Sequence, residues 1–460
     1  MRRIIIMLSA VAFLITCITG CGKETGAFGN ENVNESAIYE QSENMNTEKE
    51  QIVLAMLFED DELSNDADEI LQKQIDKFNQ AHSDYEIVIK EYRREEDMYD
   101  GNVTLLQREV VSGEGPDIIN YRWDYNVAAV TGKYTVDLRQ YIDNNPEIKE
   151  NLFPNILDAL SVEGGLYALP STIRLNTLVG CKAEIGDIRR WDVETMLGIF
   201  EKSGKEYPLG HLNKLAVFDR IFCALTNEYV DWEKGTNSFD SDEFRSILEY
   251  ADKFDLNYGD ESWNGFGVKD YVVNGYIVAD VFDTARIECE FQTEDVNYVG
   301  FPCHDGCGTI VEPGDNVMAI SMSSKHKDQA WEFMKQLMSD EYQLDMAESF
   351  NLPITRSAMD KMLDKAKKVE YNGDEMVAKA MYQPDETYES FPIYSITDKQ
   401  AEDLISLIES VDKSYSLNPK VDYVIYEEAD AFFAGQQSID QTIDNIENRV
   451  WLYISEKAAS

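Results

Sequence analysis

Cys303-His304-Asp305-Gly306-Cys307 is the densest gathering of reactive side chains in the sequence. It looks like half a zinc site, but zinc closes a set of four ligands and the other histidines, at 82, 211 and 326, bring no second pair. The segment therefore reads as a small disulfide loop or as two free thiols. Residues 198–205 approach a phosphate loop, yet Gly204-Lys205 stands one residue too far from Gly198 and is followed by Glu206. No Gly-x-Ser-x-Gly elbow and no His-Glu-x-x-His helix is present. Acidic pairs such as Asp60 and Asp61 suit general acid/base work on glycosides, but nothing singles one pair out. Binding chemistry is better served. Tyr121, Arg122, Trp123 and Asp124 set ring faces beside planar polar groups, and Arg174, two residues before Asn176, can hold two oxygens at once.

These residues need elements to hold them. Residues 51–58 form an apolar run that reads as a buried strand, and Ala67, Leu71, Ile75 and Phe78 follow on one helical stripe. Tyr85, Ile87 and Ile89 alternate as a second strand. Residues 103–111 read as a helix stopped by Ser112-Gly113-Glu114-Gly115-Pro116, after which Asp117-Ile118-Ile119 opens a third strand. Strand and helix alternating in this way predict an α/β unit with a largely parallel sheet, whose ligands sit beyond the carboxyl ends of the strands. Tyr121, Trp123 and Asp124 then fall on a loop facing a cleft; the competing reading has Trp123 capping its own core. Ala330, Trp331, Met334, Leu337 and Met338 share one helical face, and Trp191 leads Val193, Met196, Leu197 and Phe200 in another. Ser438 and Gln441 make a capping box ahead of Ile439, Ile443, Ile446, Val450 and Tyr453. All three stripes are packing.

The 460 residues include 87 acidic and 41 basic, a formal charge of -46, which repels nucleic acid and anionic lipid. It also disfavours a strongly anionic ligand, although a local site overrides a global field. Arg2 and Arg3 precede an apolar run over residues 4–18 that is too short to span a bilayer, so residues 1–20 read as a signal peptide. Ile18-Thr19-Gly20-Cys21 resembles a bacterial lipoprotein box, which implies that Cys21 receives a diacylglyceryl group and tethers the chain to the membrane. The alternative is an ordinary secretory leader in which Cys21 is incidental. Residues 22–50 are polar and without periodicity, a flexible spacer reaching ~30 Å. Cys181, Cys223, Cys289, Cys303 and Cys307 are an odd number, so stability comes from cores and not from a disulfide framework.

A family resemblance rests on motifs in order. Residues 112–118, then Gly132-Lys133-Tyr134, Asp137-Leu138 and Tyr141-Ile142, then Gly165-Leu166-Tyr167-Ala168-Leu169-Pro170 resemble the first lobe of family 1 extracellular solute-binding proteins. Tyr298-Val299-Gly300-Phe301-Pro302, Val317-Met318-Ala319-Ile320, Ser324-Lys325-His326-Lys327 and Ala330-Trp331-Glu332-Phe333 are similar to that family's return segment. Phe432 onward, with Gly435, Ser438, Ile446-Glu447-Asn448-Arg449-Val450 and Tyr453, is similar to its last helix.

The resemblance implies an α/β, two-lobed, periplasmic-binding-protein-like fold of type II with hinge-linked lobes around a ligand cleft. Residues 51–171 plus 314–355 make the first lobe and 175–311 plus 356–460 the second, with hinge crossings near 170–174 and 313. It further implies a monomeric receptor without cofactor or metal, held by its lipid anchor on the extracytoplasmic face of the bacterial cell membrane. The receptor captures a small solute, a mono- or oligosaccharide, by hinge closure and delivers it to the permease subunits of an ABC transporter. Arg174 and Asn176 face the cleft at the first crossing, and Asp283 and Arg286 follow a strand that presents ligand residues. Glu59, Asn227, Tyr229 and Asp315 complete the expected ligand set. For Arg174 and for Asp283 with Arg286, structural ion pairs are the competing reading. A sensory lipoprotein reporting ligand to a membrane kinase would share these features; a surface glycan-degrading enzyme, the other alternative, would also require a carboxylate pair in the cleft.

Overall fold

A computed structural model describes residues 49–58, 65–93, 101–122, 132–162, 164–232, 234–254, 268–348, 351–368, 378–385, 387–414 and 419–459. Residues 1–48, where the signal peptide, Cys21 and most of the spacer are expected, and Glu59, Trp123 and Asp124 lie outside the described residues.

The chain opens with β1 (Glu50–Phe58), α1 (Asp66–Ala81), β2 (Tyr85–Arg93), α2 (Gly101–Ser112) and β3 (Ile118–Asn120). β1 runs parallel to β2 from Glu50↔Tyr85 to Phe58↔Arg93, and parallel to β3 from Leu54↔Ile118. Side chains alternate across a strand, so Ile52, Leu54, Met56 and Phe58 join the core under α1, whereas Ala55 and Leu57 join Val103, Leu106 and Val110 of α2. That two-faced burial is why the strand reads as an unbroken apolar run. Asn65 and Asp68 form a capping box at the start of α1, which buries Ala67, Leu71, Ile75 and Phe78, the stripe expected from the sequence. Leu71, Ile75 and Phe78 each contribute about 1.5–3 kcal/mol on burial.

Three short helices, α3 (Arg139–Asp143), α4 (Pro146–Asn151) and α5 (Pro154–Ala159), lead to β4 (Thr172–Cys181), the spine of a second sheet. Beyond it come α6 (Lys182–Ile185), α7 (Val193–Ser203), α8 (Lys214–Phe222), the pair β5 (Val230–Asp231) and β6 (Thr236–Asn237), and α9 (Asp242–Ala251). Trp191 lies ahead of α7, whose N-cap is Asp192, and its indole donates to the Gly300 carbonyl at 2.9 Å. β7 (Val273–Val278), α10 (Asp283–Phe291), β8 (Val296–Tyr298) and β9 (Ile310–Pro313) follow, and β7, β8 and β9 all pair antiparallel with β4.

The chain then returns to the first sheet. β10 (Met318–Ile320) pairs antiparallel with β3, which gives the order β10-β3-β1-β2. α11 (Lys327–Gln336), α12 (Asp340–Ala347), β11 (Leu352–Pro353) and α13 (Arg356–Lys368) come next, and β11 rejoins β4. The hairpin β12 (Ala378–Asp385) and β13 (Thr387–Ile393) packs on α10. α14 (Asp398–Ser410), β14 (Lys413–Ser414), α15 (Pro419–Phe433) and α16 (Ile439–Ala459) close the chain, with Ser438 and Gln441 capping α16 as expected.

Two large cores result. One joins the first sheet to α1, α11, α12 and α13 and continues through Leu404, Leu407 and Ile408 of α14; the other gathers α7, α8, α9, α15 and α16. The fold is α/β and two-lobed. Among the described residues, no helix is long and apolar enough to cross a membrane, and no cluster of three His, Cys, Asp or Glu is placed to hold a metal ion. Cys303 and Cys307 are free thiols, and burial pushes Cys303 up to about 12.

Candidate functional site

The chain passes from the first sheet to the second at Ser171-Thr172 and comes back at 313–317. At this crossing β4 and β9 lie antiparallel, with Ile173↔Pro313, Arg174↔Glu312, Leu175↔Val311 and Asn176↔Ile310. The backbone N–H of Gly314 donates to the Thr172 carbonyl at 2.8 Å. Alternation sends Ile173, Leu175 and Val311 into the core and leaves Arg174, Asn176 and Glu312 together on the opposite face. Arg174 Nη2 stands 3.3 Å from Glu312 Oε1, and Asn176 Nδ2 donates to Glu312 Oε2 at 3.3 Å. The Arg174 Nε is buried without a hydrogen-bond partner.

Asp315 follows directly. Burial raises its pKa, and the charge of Arg174 and a 3.0 Å hydrogen bond from Asn351 Nδ2 pull it back. Behind it, Asn316 Nδ2 donates to the Tyr342 hydroxyl at 3.1 Å and to the Ala67 carbonyl at 3.2 Å, and the Ser171 hydroxyl lies 3.0 Å from the same tyrosine oxygen. Asn120 Nδ2 donates to Asn316 Oδ1 at 2.7 Å while its own Oδ1 accepts from the Arg122 N–H. The Arg122 guanidinium caps the Phe58 ring at 4.2 Å and pairs with Asp68 at 2.8 Å, with side-chain exposures of 3% and 9%. Both chain crossings are thus pinned to α1, α12 and the end of β3 by hydrogen bonds.

The expected ligand residues divide. Arg174, Asn176 and Asp315 come together at the crossing. Tyr121 does not face a cleft: it is 1% exposed and packs in the core of β1 and α2, because the residue after Asn120 points to the α2 face of the sheet. Tyr229 is buried as well, stacked on Phe239 with centroids 5.3 Å apart and donating to Glu243 at 2.7 Å, while Asn227 is exposed on the turn before it. Asp283 and Arg286 are paired to each other; Asp283 Oδ2 accepts from the N–H groups of Ala279 and Asp280 at 2.8 Å, and Arg286 also reaches Asp280 at 3.0 Å. Burial raises the Asp283 pKa against these bonds.

Glu312 and Asn351 were not singled out from the sequence. For Glu312 a signal exists: an acid in the short apolar strand Ile310-Val311-Glu312-Pro313, next to the expected crossing. Asn351 gives none, since only the packing of the return segment brings it to Asp315. A groove of 1330 Å³ lies elsewhere, between α7 and α9, with Glu194, Glu201, Tyr207, Glu249, Tyr250 and Lys253 on its walls. It is open, and its charged groups are mainly acidic.

Two sheets joined by crossing strands, with polar side chains gathered at the crossing, define a hinged binding protein. Residues 73–373 match the family of bacterial extracellular solute-binding proteins, and the chain belongs to that family, whose work lies outside the cytoplasm. No curated protein matches the sequence. Among solved structures, the sugar-binding protein MalE from Xanthomonas citri is 14% identical, with a TM-score of 0.55 over 89% of this chain and 98% of that one. A periplasmic oligogalacturonide-binding protein from Yersinia enterocolitica is 12% identical, with a TM-score of 0.56 over 88% and 99%. A family 1 extracellular solute-binding protein from Alicyclobacillus acidocaldarius is 13% identical, with a TM-score of 0.54 over 88% and 99%. At such identities the likeness is one of fold.

Proposed function

We propose that this protein is the receptor of an ABC importer, tethered through a lipid on Cys21, and that it captures a small saccharide by closing two lobes over it. In this reading residues 51–171 with 314–355 form one lobe and 175–311 with 356–460 the other, and the receptor acts as a monomer that passes its ligand intact to the permease. The observation that carries the reading is the crossing itself, where Arg174, Asn176 and Glu312 share one face of paired strands and Asp315 follows. Such a set donates to and accepts from hydroxyls in the manner a polyol requires. The saccharide class draws support from the sugar-binding protein MalE and the oligogalacturonide-binding protein of the same fold. Ligand that touches both sides of the crossing favours the closed form, and binding shifts the population toward it.

The test is a thermal-shift screen against sugars, oligosaccharides, amino acids, peptides and polyamines. Ligand at a hundred times its dissociation constant stabilises by ~2.7 kcal/mol. A rise with one saccharide class, with the sugar recovered unchanged, supports the reading; a rise with a peptide or polyamine alone overturns the carbohydrate assignment.

A further inference from the structure

Arg220 stands apart from the other arginines. Buried or half-buried Arg122, Arg139, Arg174, Arg245, Arg286, Arg356 and Arg449 each pair with a carboxylate. Half-buried Arg220 pairs with none among the described residues, in a chain with more than two acids for every base. α8 buries Val217, Phe218, Ile221 and Phe222 in the second core, and Arg220 reaches from it across β7. A Cβ on Gly275 would lie 2.1 Å from Arg220 Nη1 and 2.5 Å from its Cζ, so the guanidinium rests on the strand directly over the glycine.

The sheet register says where that fork lies. Gly275 is opposite Leu178, and Ile277 is opposite Asn176. Leu178 belongs to the second core, whereas Ile277 is 58% exposed. Arg220 therefore sits where the packed face ends and the open face begins, two positions along β4 from Asn176 and four from Arg174, the partner of Glu312.

We propose that Arg220 is a ligand-contacting residue that receives a carboxylate of the solute, so that the saccharide taken by this site is an acidic one, a uronic acid or an oligomer of it. The inference rests on the saccharide-receptor reading and deepens it. An unpaired planar guanidinium is matched by a planar carboxylate through two parallel hydrogen bonds, a geometry that a neutral hydroxyl offers less well. The net charge of -46 opposes an anion at long range, but salt screens that field within about 10 Å, whereas the contact pair is local.

The experiment is calorimetric titration of the full chain in detergent with galacturonate and glucuronate and their trimers, each against its neutral counterpart. The expected result is that an acidic ligand binds roughly tenfold or more tightly than the neutral one. Arg220→Gln removes that preference and leaves the ligand-free melting temperature unchanged. Arg220→Lys keeps the charge without the fork and retains only part of the preference; it carries the test if Arg220→Gln does not fold. Gly275→Ala, which crowds the guanidinium off the strand, lowers the preference too. Equal or tighter binding of the neutral sugar, or a preference untouched by Arg220→Gln and Arg220→Lys, overturns the inference and leaves the receptor reading standing. If no saccharide of either kind binds, both fall.

Discussion

Arg174 and Glu312 are register partners on β4 and β9, where the chain passes between the two sheets, and their side chains meet at 3.3 Å on the open face of the sheet. Each is about a third exposed. Screening by solvent holds such a pair to at most about 1 kcal/mol of stability. Under the proposed function, its position at the crossing, beside Asn176, matters more for ligand than for folding.

Arg174→Gln and Glu312→Gln are accordingly expected to leave the ligand-free melting temperature within a few degrees of wild type. Both should cut the stabilisation produced by saturating ligand to less than half. Thermal unfolding with and without ligand measures both quantities, and full ligand stabilisation in both variants would remove the crossing from the binding site.

Behind the crossing the energetics reverse. Arg122 and Asp68 are buried together, so removing one partner strands the other charge away from water. Asp68→Leu or Arg122→Met alone should cost about 3–5 kcal/mol in urea unfolding, and the double variant should recover much of that loss. Additive losses would show that the two side chains act separately.

Asp315 supplies a pH dependence. Its folded pKa is raised from 3.8, chiefly by burial, so ionisation penalises the folded state at neutral pH, and the penalty fades as pH falls through the folded pKa toward 3.8. Asp315→Asn keeps an acceptor for Asn351 and removes the charge. It should raise ligand-free stability at pH 7, with the gain vanishing as the pH approaches 4. Chemical denaturation across that range checks the sign, and a gain that grows on acidification would refute it.

Gly300 tests the loop that follows β8. Its φ is +76°, and a Cβ there would lie 1.9 Å from the Cys307 carbonyl oxygen. Gly300→Ala should destabilise by roughly 3 kcal/mol or more, since strain and a backbone clash act together. Equilibrium unfolding measures it, and a loss under 1 kcal/mol would mean that the loop yields freely.

Local pattern carried much of the architecture. Ile52, Leu54, Met56 and Phe58 in one uninterrupted apolar run, the stripe from Ala67 to Phe78, and the turn at 112–116 each state their element through periodicity and backbone preference, properties that neighbours in sequence decide. The crossing near Arg174 was legible through motif order along the whole chain. Tyr121 was misplaced because its type suits a binding loop, while its burial depends on which face of β3 the next residue takes.

The sequence by itself determined the alternation of strands and helices, the cap of α16, and the acidic surface, because these depend on residues a few positions apart or on composition alone. Only the tertiary structure decided that Glu312 stands opposite Arg174, that Asn351 reaches Asp315, and that Arg220 lies over Gly275 with no carboxylate partner among the described residues. Those pairs are separated by 138, 36 and 55 positions, and strand register and helix packing, which no local pattern encodes, bring them into contact.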